Sequence, residues 1–264
     1  MTETSEHDRP ATRHRVLLGF GGSTLHFGAA HALYNASLDR HDVVIAQTPL
    51  GAWDAFNKLW ADALNGYADG QFDAYALIHG DIEAEIGWLD IELEEMDRLG
   101  ADVVSAVVPI KDARGRTSCG IGNLRNRWLE RRCFTMTEIM EFPETFSAAD
   151  AGCPGEPFLV NDGCMVCDLR NPRFHEVDDH GVARVHFGFP ADVACGPDGR
   201  WRSRRESEDW FFSRCCHEQG LKVYATRRVK ILHHGDYGFP NQHAWGTRKT
   251  DDDARKANQE QVSP

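Results

Sequence analysis

Short apolar runs alternate with amphipathic stretches over the first 110 residues. Apolar positions repeat every three or four residues in three of these stretches, which predicts helices over 27–38, 53–64 and 86–99. Four short apolar runs predict buried strands over 15–20, 42–46, 72–78 and 102–108. This βαβα alternation predicts an α/β fold with a mostly parallel central sheet, right-handed crossovers and flanking helices.

The second half has a less regular pattern. Its glycine-rich start over 111–122 predicts a loop or an edge hairpin. Later apolar runs predict short strands over 158–160, 164–169, 182–187, 221–224 and 229–232, and one helix over 206–219. Because no linker separates the two halves, 13–110 and 111–248, we predict a single domain over 13–248. Tails over 1–12 and 249–264 are predicted to be disordered.

Composition narrows the classes of function. The chain has 264 residues and a net charge of -12, which disfavours a polyanion as a bulk partner. Because the sequence has neither an apolar run long enough to span a bilayer nor a signal peptide, we expect a cytoplasmic protein without a membrane span. Eight cysteines without an export signal favour reduced thiols. The pair Cys164 and Cys167 is predicted to pack in the core.

Three polar clusters carry the candidate chemistry. His79 and Asp81 follow the third predicted strand, at the sheet edge where open α/β folds bind ligands. Glu208 and Asp209 open the late helix, where a helix N-terminus favours carboxylates. His233 follows the last strand. One aspartate and two histidines suit Mn²⁺-like or Zn²⁺-like ions better than Ca²⁺, although turn and cap chemistry explains each cluster separately.

The order of these motifs resembles metal-dependent glycosyltransferases of the GT-A fold, in particular the family 2-like inverting enzymes. That family has an apolar strand ending in Asp-x-Asp, then a glycine followed by an apolar run with Asp- or Arg-type residues. A Glu-Asp pair then opens an aromatic helix, a glycine and a strand follow, and a last strand is followed by His-x-Gly. The corresponding segments are 77–82, 162–170, 207–212, 220–224 and 229–235. The resemblance covers residues 15–239 and implies a Rossmann-like, mixed central sheet. It also implies that 13–110 is the nucleotide-sugar-binding half and 111–248 the acceptor and catalytic half. His79 stands where the family has its first Asp.

The resemblance also implies an activity and roles for residues. It implies transfer of a sugar from a UDP- or GDP-sugar to a hydroxyl acceptor with inversion, assisted by Mn²⁺ or Mg²⁺. The cation would be held by Asp81 and His233, with His79 as a further ligand or as a contact to ribose. Asp209 would be the general base and Glu208 would hold the acceptor. The remaining implied contacts are Asn57 and Gly80 for the donor and Trp210 for the acceptor.

Two arginine-rich segments, 125–132 and 200–205, are predicted to be solvated loops or anion sites. If segment 200–205 is an anion site, Arg202 and Arg204 would contact the acceptor. The acceptor would be a saccharide or a hydroxymethylated base in phage-type DNA. Two other functions stay open. A nucleotidyltransferase would need a basic residue in the glycine-rich turn at 19–23, and a non-catalytic nucleotide- or nucleic-acid-binding domain would use the polar clusters only as caps.

Overall fold

The computed structural model describes residues 12–21, 25–48, 52–123, 132–195, 198–248 and 250. The turn residues 22–24, the basic segment 125–131, and the predicted tails except residues 12 and 250 lie outside the described residues. The helices are α1 Phe27–Tyr34, α2 Ala52–Ala68, α3 Trp88–Leu99, α4 Met136–Ile139 and α5 Glu208–Glu218, with a 3-10 helix at Pro172–His175. The strands are β1 Arg15–Gly21, β2 Asp42–Gln47, β3 Ala74–His79, β4 Ile82–Ala84, β5 Val103–Ala106, β6 Arg116–Ile121, β7 Arg132–Thr135, β8 Thr145–Phe146, β9 Phe158–Leu159, β10 Cys164–Asp168, β11 Ala191–Cys195, β12 Trp201–Arg205, β13 Val223–Thr226, β14 Ile231–His234 and β15 Gly238–Pro240.

A seven-stranded sheet organises the domain, in the order β2-β1-β3-β10-β5-β13-β8. Strands β2, β1, β3, β5 and β13 run in one direction, whereas β10 and β8 run against their neighbours. The predicted mixed, mostly parallel α/β sheet in a single domain is therefore confirmed. Over the described residues, none of the helices combines the length and the apolar character that a bilayer crossing requires.

Both faces of the sheet are covered by apolar clusters, which explains why its central strands are continuous apolar runs. On one face Trp60 of α2 packs edge-on against Tyr75, Phe187 and Phe212. Its indole N–H donates to the Val185 carbonyl at 2.8 Å. On the other face α1 and α3 pack together, and the covered strands are thus held from two sides.

One strand prediction was wrong about the environment of the strand, and one strand takes a place and direction that the sequence left undetermined. Strand β2 lies at the edge of the sheet, with Val44 and Ile45 half-exposed rather than buried. Strand β10 enters the middle of the sheet antiparallel, between β3 and β5. Apolar runs alone do not distinguish an edge from a central strand, nor one direction from the other, because both depend on pairing with distant segments.

Three further segments differ from their predictions. Residues 182–187 form no strand beyond an isolated bridge at Ala183, although Val185 and Phe187 are buried. Residues 191–205 contain the hairpin β11–β12 instead of only a loop. Strand β14 leaves the central sheet and pairs with β4 and β15. That last departure matters most, because it carries a histidine pair to the end of β3.

Candidate functional site

Asp81 and His233 meet at the carboxyl edge of β3. The chain turns after His79 and returns as β4, and β14 pairs with β4 so that His233 lies opposite Ile82. The Nε2 atom of His233 lies 3.5 Å from Asp81 Oδ2. Its Nδ1 donates to the Pro109 carbonyl at 2.7 Å, which directs Nε2 toward the carboxylate. An imidazole that is oriented by a second hydrogen bond and faces a carboxylate is an arrangement that suits a bound cation.

Lys111 supplies positive charge at the same place. Its ammonium donates to Asp81 Oδ2 at 2.5 Å. Burial raises the pKa of Asp81, but the hydrogen bonds from His233 and Lys111 outweigh it, so the net pKa is well below the ordinary carboxyl range. Asp81 is therefore ionised at any physiological pH.

His79 points away from this pair and toward Asp162. Its ring stacks on Phe56, with centroids 5.0 Å apart, and its Nε2 lies 3.2 Å from Asp162 Oδ1. Burial lowers the pKa of His79, but the Asp162 carboxylate more than reverses this and raises the pKa to about 9. The protonated ring has no lone pair for a cation. Of the three predicted metal ligands, two come together and His79 instead forms an ion pair.

Asp162 is a site residue that sequence reasoning missed. It lies between β9 and β10, is only 1% exposed, and neither carboxylate oxygen accepts a hydrogen bond from a described residue. The sequence Asn161-Asp162-Gly163 predicts a turn, and the turn is present. However, Asn161 makes the turn bond, from the Gly163 amide to its side-chain oxygen at 2.7 Å. Because the Asn161 side chain already accepts the turn hydrogen bond, Asp162 is not needed for the turn and faces inward. Two adjacent turn-forming residues where one is sufficient were the signal that could have indicated Asp162.

Asp209 is buried at the start of α5 and fully engaged in hydrogen bonds. Its Oδ1 accepts from the Ser207 hydroxyl and from the Trp210 amide, the latter at 2.7 Å. Its Oδ2 accepts from the Asn161 side-chain amide at 2.9 Å. The sequence places a carboxylate here for a local reason, since the first turn of a helix presents unpaired N–H groups.

The acidic neighbours of Asp209 change its acidity. Burial raises the pKa of Asp209, and the charges of Asp162 and Glu208 raise it further, to about 8. Burial and Asp162 likewise raise the pKa of Glu208. The charges of both Asp81 and Glu208 contribute to the raised pKa of His79. His79 therefore lies electrostatically between the Asp81 edge and a cluster of three carboxyl groups.

The other predicted donor contacts have structural partners. The side-chain amide of Asn57 donates to the Phe187 carbonyl at 2.8 Å and accepts from the Phe187 amide at 3.0 Å. It thus fastens the 182–187 segment to α2, and the predicted donor contact by Asn57 is disfavoured. The Gly80 carbonyl accepts from the His26 amide at 2.7 Å. Gly80 holds the start of α1 beside the site through this bond.

The predicted acceptor contacts are also partly engaged. Arg202 and Arg204 on β12 pair with Asp198 and Asp192, at 2.5 Å and 2.6 Å. The Trp210 indole donates to the Ser118 carbonyl at 2.8 Å. These residues keep their predicted roles only if such bonds exchange for bonds to a ligand.

The opposite face of the β11–β12 hairpin carries exposed apolar side chains together with Ser203 and Arg205. Val193 and Trp201 lie on it and are 66% and 72% exposed. Because cross-strand partners share a face, Cys195 joins Trp201 there. The strand leads through Glu206, whose amide donates to the Pro190 carbonyl, directly into Ser207. An exposed aromatic side chain therefore stands on the segment that enters the carboxyl cluster.

Comparisons with known proteins give little further guidance. No protein-family model matches the chain, and no curated protein matches it. Among solved structures, the crystal structure of A197 from STIV is similar, at 13% sequence identity with a TM-score of 0.46. The match covers 89% of this chain and 95% of that chain. A likeness at this level carries no argument about activity.

Proposed function

We propose that the protein is a metal-dependent glycosyltransferase that transfers a sugar from a UDP- or GDP-sugar to a hydroxyl acceptor. One observation carries the proposal. An ionised carboxylate beside a histidine, at Asp81 and His233, is linked electrostatically through His79 and Asp162 to a carboxyl group with a pKa of about 8, at Asp209. Sugar transfer needs both elements, because a diphosphate leaves while a hydroxyl loses its proton.

The donor side suits a diphosphate. Asp81 and His233 would hold the divalent cation, Mn²⁺ or Mg²⁺, because the Pro109 contact already orients the imidazole. When bound, that cation would neutralise charge on the leaving diphosphate. Lys111 adds a positive charge at the same edge. Its ammonium group would leave the ion pair with Asp81 and bind a phosphate oxygen of the donor instead. His79, as an imidazolium, adds a second positive charge.

The acceptor side suits proton removal. Asp209 would act as the general base, because a pKa of about 8 lies close to neutral pH. The Asn161 amide and the Ser207 hydroxyl orient its carboxyl group. Glu208, which is less buried, would hold the acceptor hydroxyl. Deprotonation by Asp209 requires the acceptor to displace one of the existing hydrogen bonds, since Asp209 is 7% exposed.

Between the two proposed acceptors, we favour a saccharide over DNA. Trp201 offers an exposed ring surface that suits a sugar ring or a base. Arg202 and Arg204 are already neutralised by aspartates, which weakens any attraction of the hairpin for phosphates. The overall charge of -12 acts in the same direction.

A hydrolysis assay tests the proposal. Wild-type protein and Asp81→Ala are incubated with a panel of UDP- and GDP-sugars, with and without Mn²⁺, and release of the nucleoside diphosphate is measured. We expect Mn²⁺-dependent release by wild type and at least a tenfold loss in Asp81→Ala. The matched control is Asp236→Ala, an exposed carboxylate three residues after His233.

The same panel distinguishes the other functions. Thermal stabilisation by nucleoside triphosphates, without stabilisation by nucleotide-sugars, would favour a nucleotidyltransferase. Equal release by wild type and Asp81→Ala would refute the cation assignment. Absence of both release and stabilisation across the panel would contradict the transferase altogether.

A further inference from the structure

A second group of metal-ligating side chains lies on the other face of the β4–β14 ribbon. Successive residues of a strand point to opposite faces, so His233 turns to Asp81 whereas His234 turns to Glu83. His234 Nε2 lies 2.7 Å from Glu83 Oε2. The His26 ring stacks on His234, with centroids 3.7 Å apart and planes inclined by 16°. One ligand atom from each of the three side chains lies within 4.8 Å of the others.

The backbone holds this group together from both sides. The His26 amide donates to the Gly80 carbonyl at 2.7 Å, which fixes the residue before α1 against the end of β3. A Cβ atom at Gly28 would lie only 2.2 Å from Glu83 Oε2, so the absence of a side chain there lets the carboxylate reach the start of α1. The three ligands thus come from three separate elements that already touch.

We propose that His26, Glu83 and His234 bind a first-row divalent cation of the Zn²⁺ class, at a site separate from Asp81 and His233. Two imidazoles and one carboxylate form a ligand set that suits Zn²⁺ and disfavours Mg²⁺ and Ca²⁺, which prefer oxygen ligands. The fourth position is open to water. This site does not depend on the transferase activity proposed above.

Small side-chain movements close the site. Ligand atoms about 2.1 Å from a tetrahedral ion lie about 3.4 Å apart. The 2.7 Å pair of His234 and Glu83 must therefore widen by roughly 0.7 Å, and any pair near the 4.8 Å limit must shorten by roughly 1 Å. His26 is exposed and is free to turn out of the stack with His234. This rotation of the His26 side chain breaks the 3.2 Å hydrogen bond that the Gly28 amide donates to His26 Nδ1. The bond between His234 and Glu83 opens to admit the ion, which then takes both as ligands.

The consequence is a cross-link between α1 and the β4–β14 ribbon. The three ligands lie on elements that are far apart in the chain. A bound cation therefore opposes the separation of these elements on unfolding. Zn²⁺ therefore stabilises the folded chain in proportion to the logarithm of its concentration above the dissociation constant. The readout is thermal stability, which needs no substrate.

Cobalt binding tests the site in the full chain. Metal-free Asp81→Ala is titrated with Co²⁺, followed by visible d–d absorption and by binding stoichiometry. We expect one remaining site, lost in Asp81→Ala/Glu83→Gln and in Asp81→Ala/His26→Asn. Asparagine at 26 keeps a capping side chain but removes the imidazole. The matched control is Asp81→Ala/His31→Asn, which changes an exposed histidine of α1 and should keep the site.

Zn²⁺ should raise the Tm of Asp81→Ala and leave the Tm of Asp81→Ala/Glu83→Gln unchanged. Circular dichroism of each variant without metal confirms that it is folded. The proposal is overturned if Asp81→Ala binds no Co²⁺, or if the Glu83→Gln and His26→Asn variants bind as much as their parent. Neither result bears on transfer activity, so the two proposals fail separately.

Discussion

His79 Nε2 lies 3.2 Å from Asp162 Oδ1, although 83 residues of sequence separate the two side chains. The contact pairs an imidazolium with a carboxylate that accepts no hydrogen bond from the described residues. It also joins the predicted donor edge to the predicted base, because Asp162 acts on the acidity of His79, Glu208 and Asp209.

This pairing predicts a loss of stability in mild alkali. The folded-state pKa of His79 is about 9 and its ordinary value is 6.5, so its stabilisation is complete below pH 6.5 and disappears as pH rises through 9. Asp209, held protonated with a pKa of about 8, acts with the same sign. We expect the free energy of unfolding to fall by on the order of 1–3 kcal/mol between these limits. Urea unfolding at a series of pH values measures it.

Asp162→Asn removes the cause of this pH dependence. The pKa of His79 should fall from about 9 toward its ordinary value of 6.5, since burial is then opposed only by the weaker effects of the Asp81 and Glu208 charges. The pKa of Asp209 should fall as well. NMR titration of the His79 ring follows the first change, and the pH slope of unfolding should flatten. A His79 pKa that stays near 9 in Asp162→Asn would contradict the assignment.

Asp209→Asn and Glu208→Gln separate the base from the acceptor contact. We expect Asp209→Asn to lower kcat by about 10²–10⁴-fold, because proton removal is lost. Glu208→Gln should mainly raise KM for the acceptor. Because an amide at 209 faces the Asn161 amide, Asp209→Asn should also cost about 1 kcal/mol of stability, which a urea melt measures. The reverse kinetic pattern would identify Glu208 as the base.

Lys111→Met should tighten cation binding at Asp81. Lys111 neutralises that carboxylate, so its removal leaves more negative charge for a divalent ion. We expect roughly fivefold tighter Mn²⁺ binding by calorimetry, which corresponds to about 1 kcal/mol. Lys222→Met, an exposed lysine bonded to the Gly100 carbonyl, should leave Mn²⁺ affinity unchanged. Weaker binding in Lys111→Met would show that the ammonium and the ion do not compete.

Arg214→Ala tests the anchor beneath the β11–β12 hairpin. Arg214 Nε donates to Glu206 Oε1 at 2.7 Å, and both side chains are almost completely buried. Removing the guanidinium takes an ion-pair partner away from a buried carboxylate, at an expected cost of about 3–5 kcal/mol. The double variant Glu206→Gln/Arg214→Met should lose much less. Equal losses in urea unfolding would mean that Arg214 acts through packing rather than charge.

Trp201→Ala tests the open face of the hairpin. Because the side chain is 72% exposed, its removal should change the free energy of unfolding by less than about 0.5 kcal/mol. If the ring stacks on the acceptor, KM for the acceptor should rise roughly threefold to tenfold. Phe27→Ala, an exposed aromatic residue on α1, is the control and should leave KM unchanged.

The local pattern of the chain was sufficient to predict most helices and strands and two of the three polar clusters. Asp81 follows a buried strand and Asp209 opens a helix, and each position is specified within about ten neighbouring residues by apolar period and cap chemistry. The same local information predicted a mostly parallel α/β sheet, whereas the mixed character of the sheet was an implication of the family resemblance. The local pattern placed His233 just after the last apolar strand, whereas the structure places His233 within β14.

Only the tertiary structure decided which of these side chains meet. Asp162 joins His79 because β10 enters the sheet antiparallel beside β3, and β14 divides His233 and His234 between two clusters because it pairs with β4. Strand order and direction arise from contacts between segments far apart in the chain. The hydrophobic period of a segment shows only which residues face a core. It does not determine which distant segment those residues pack against.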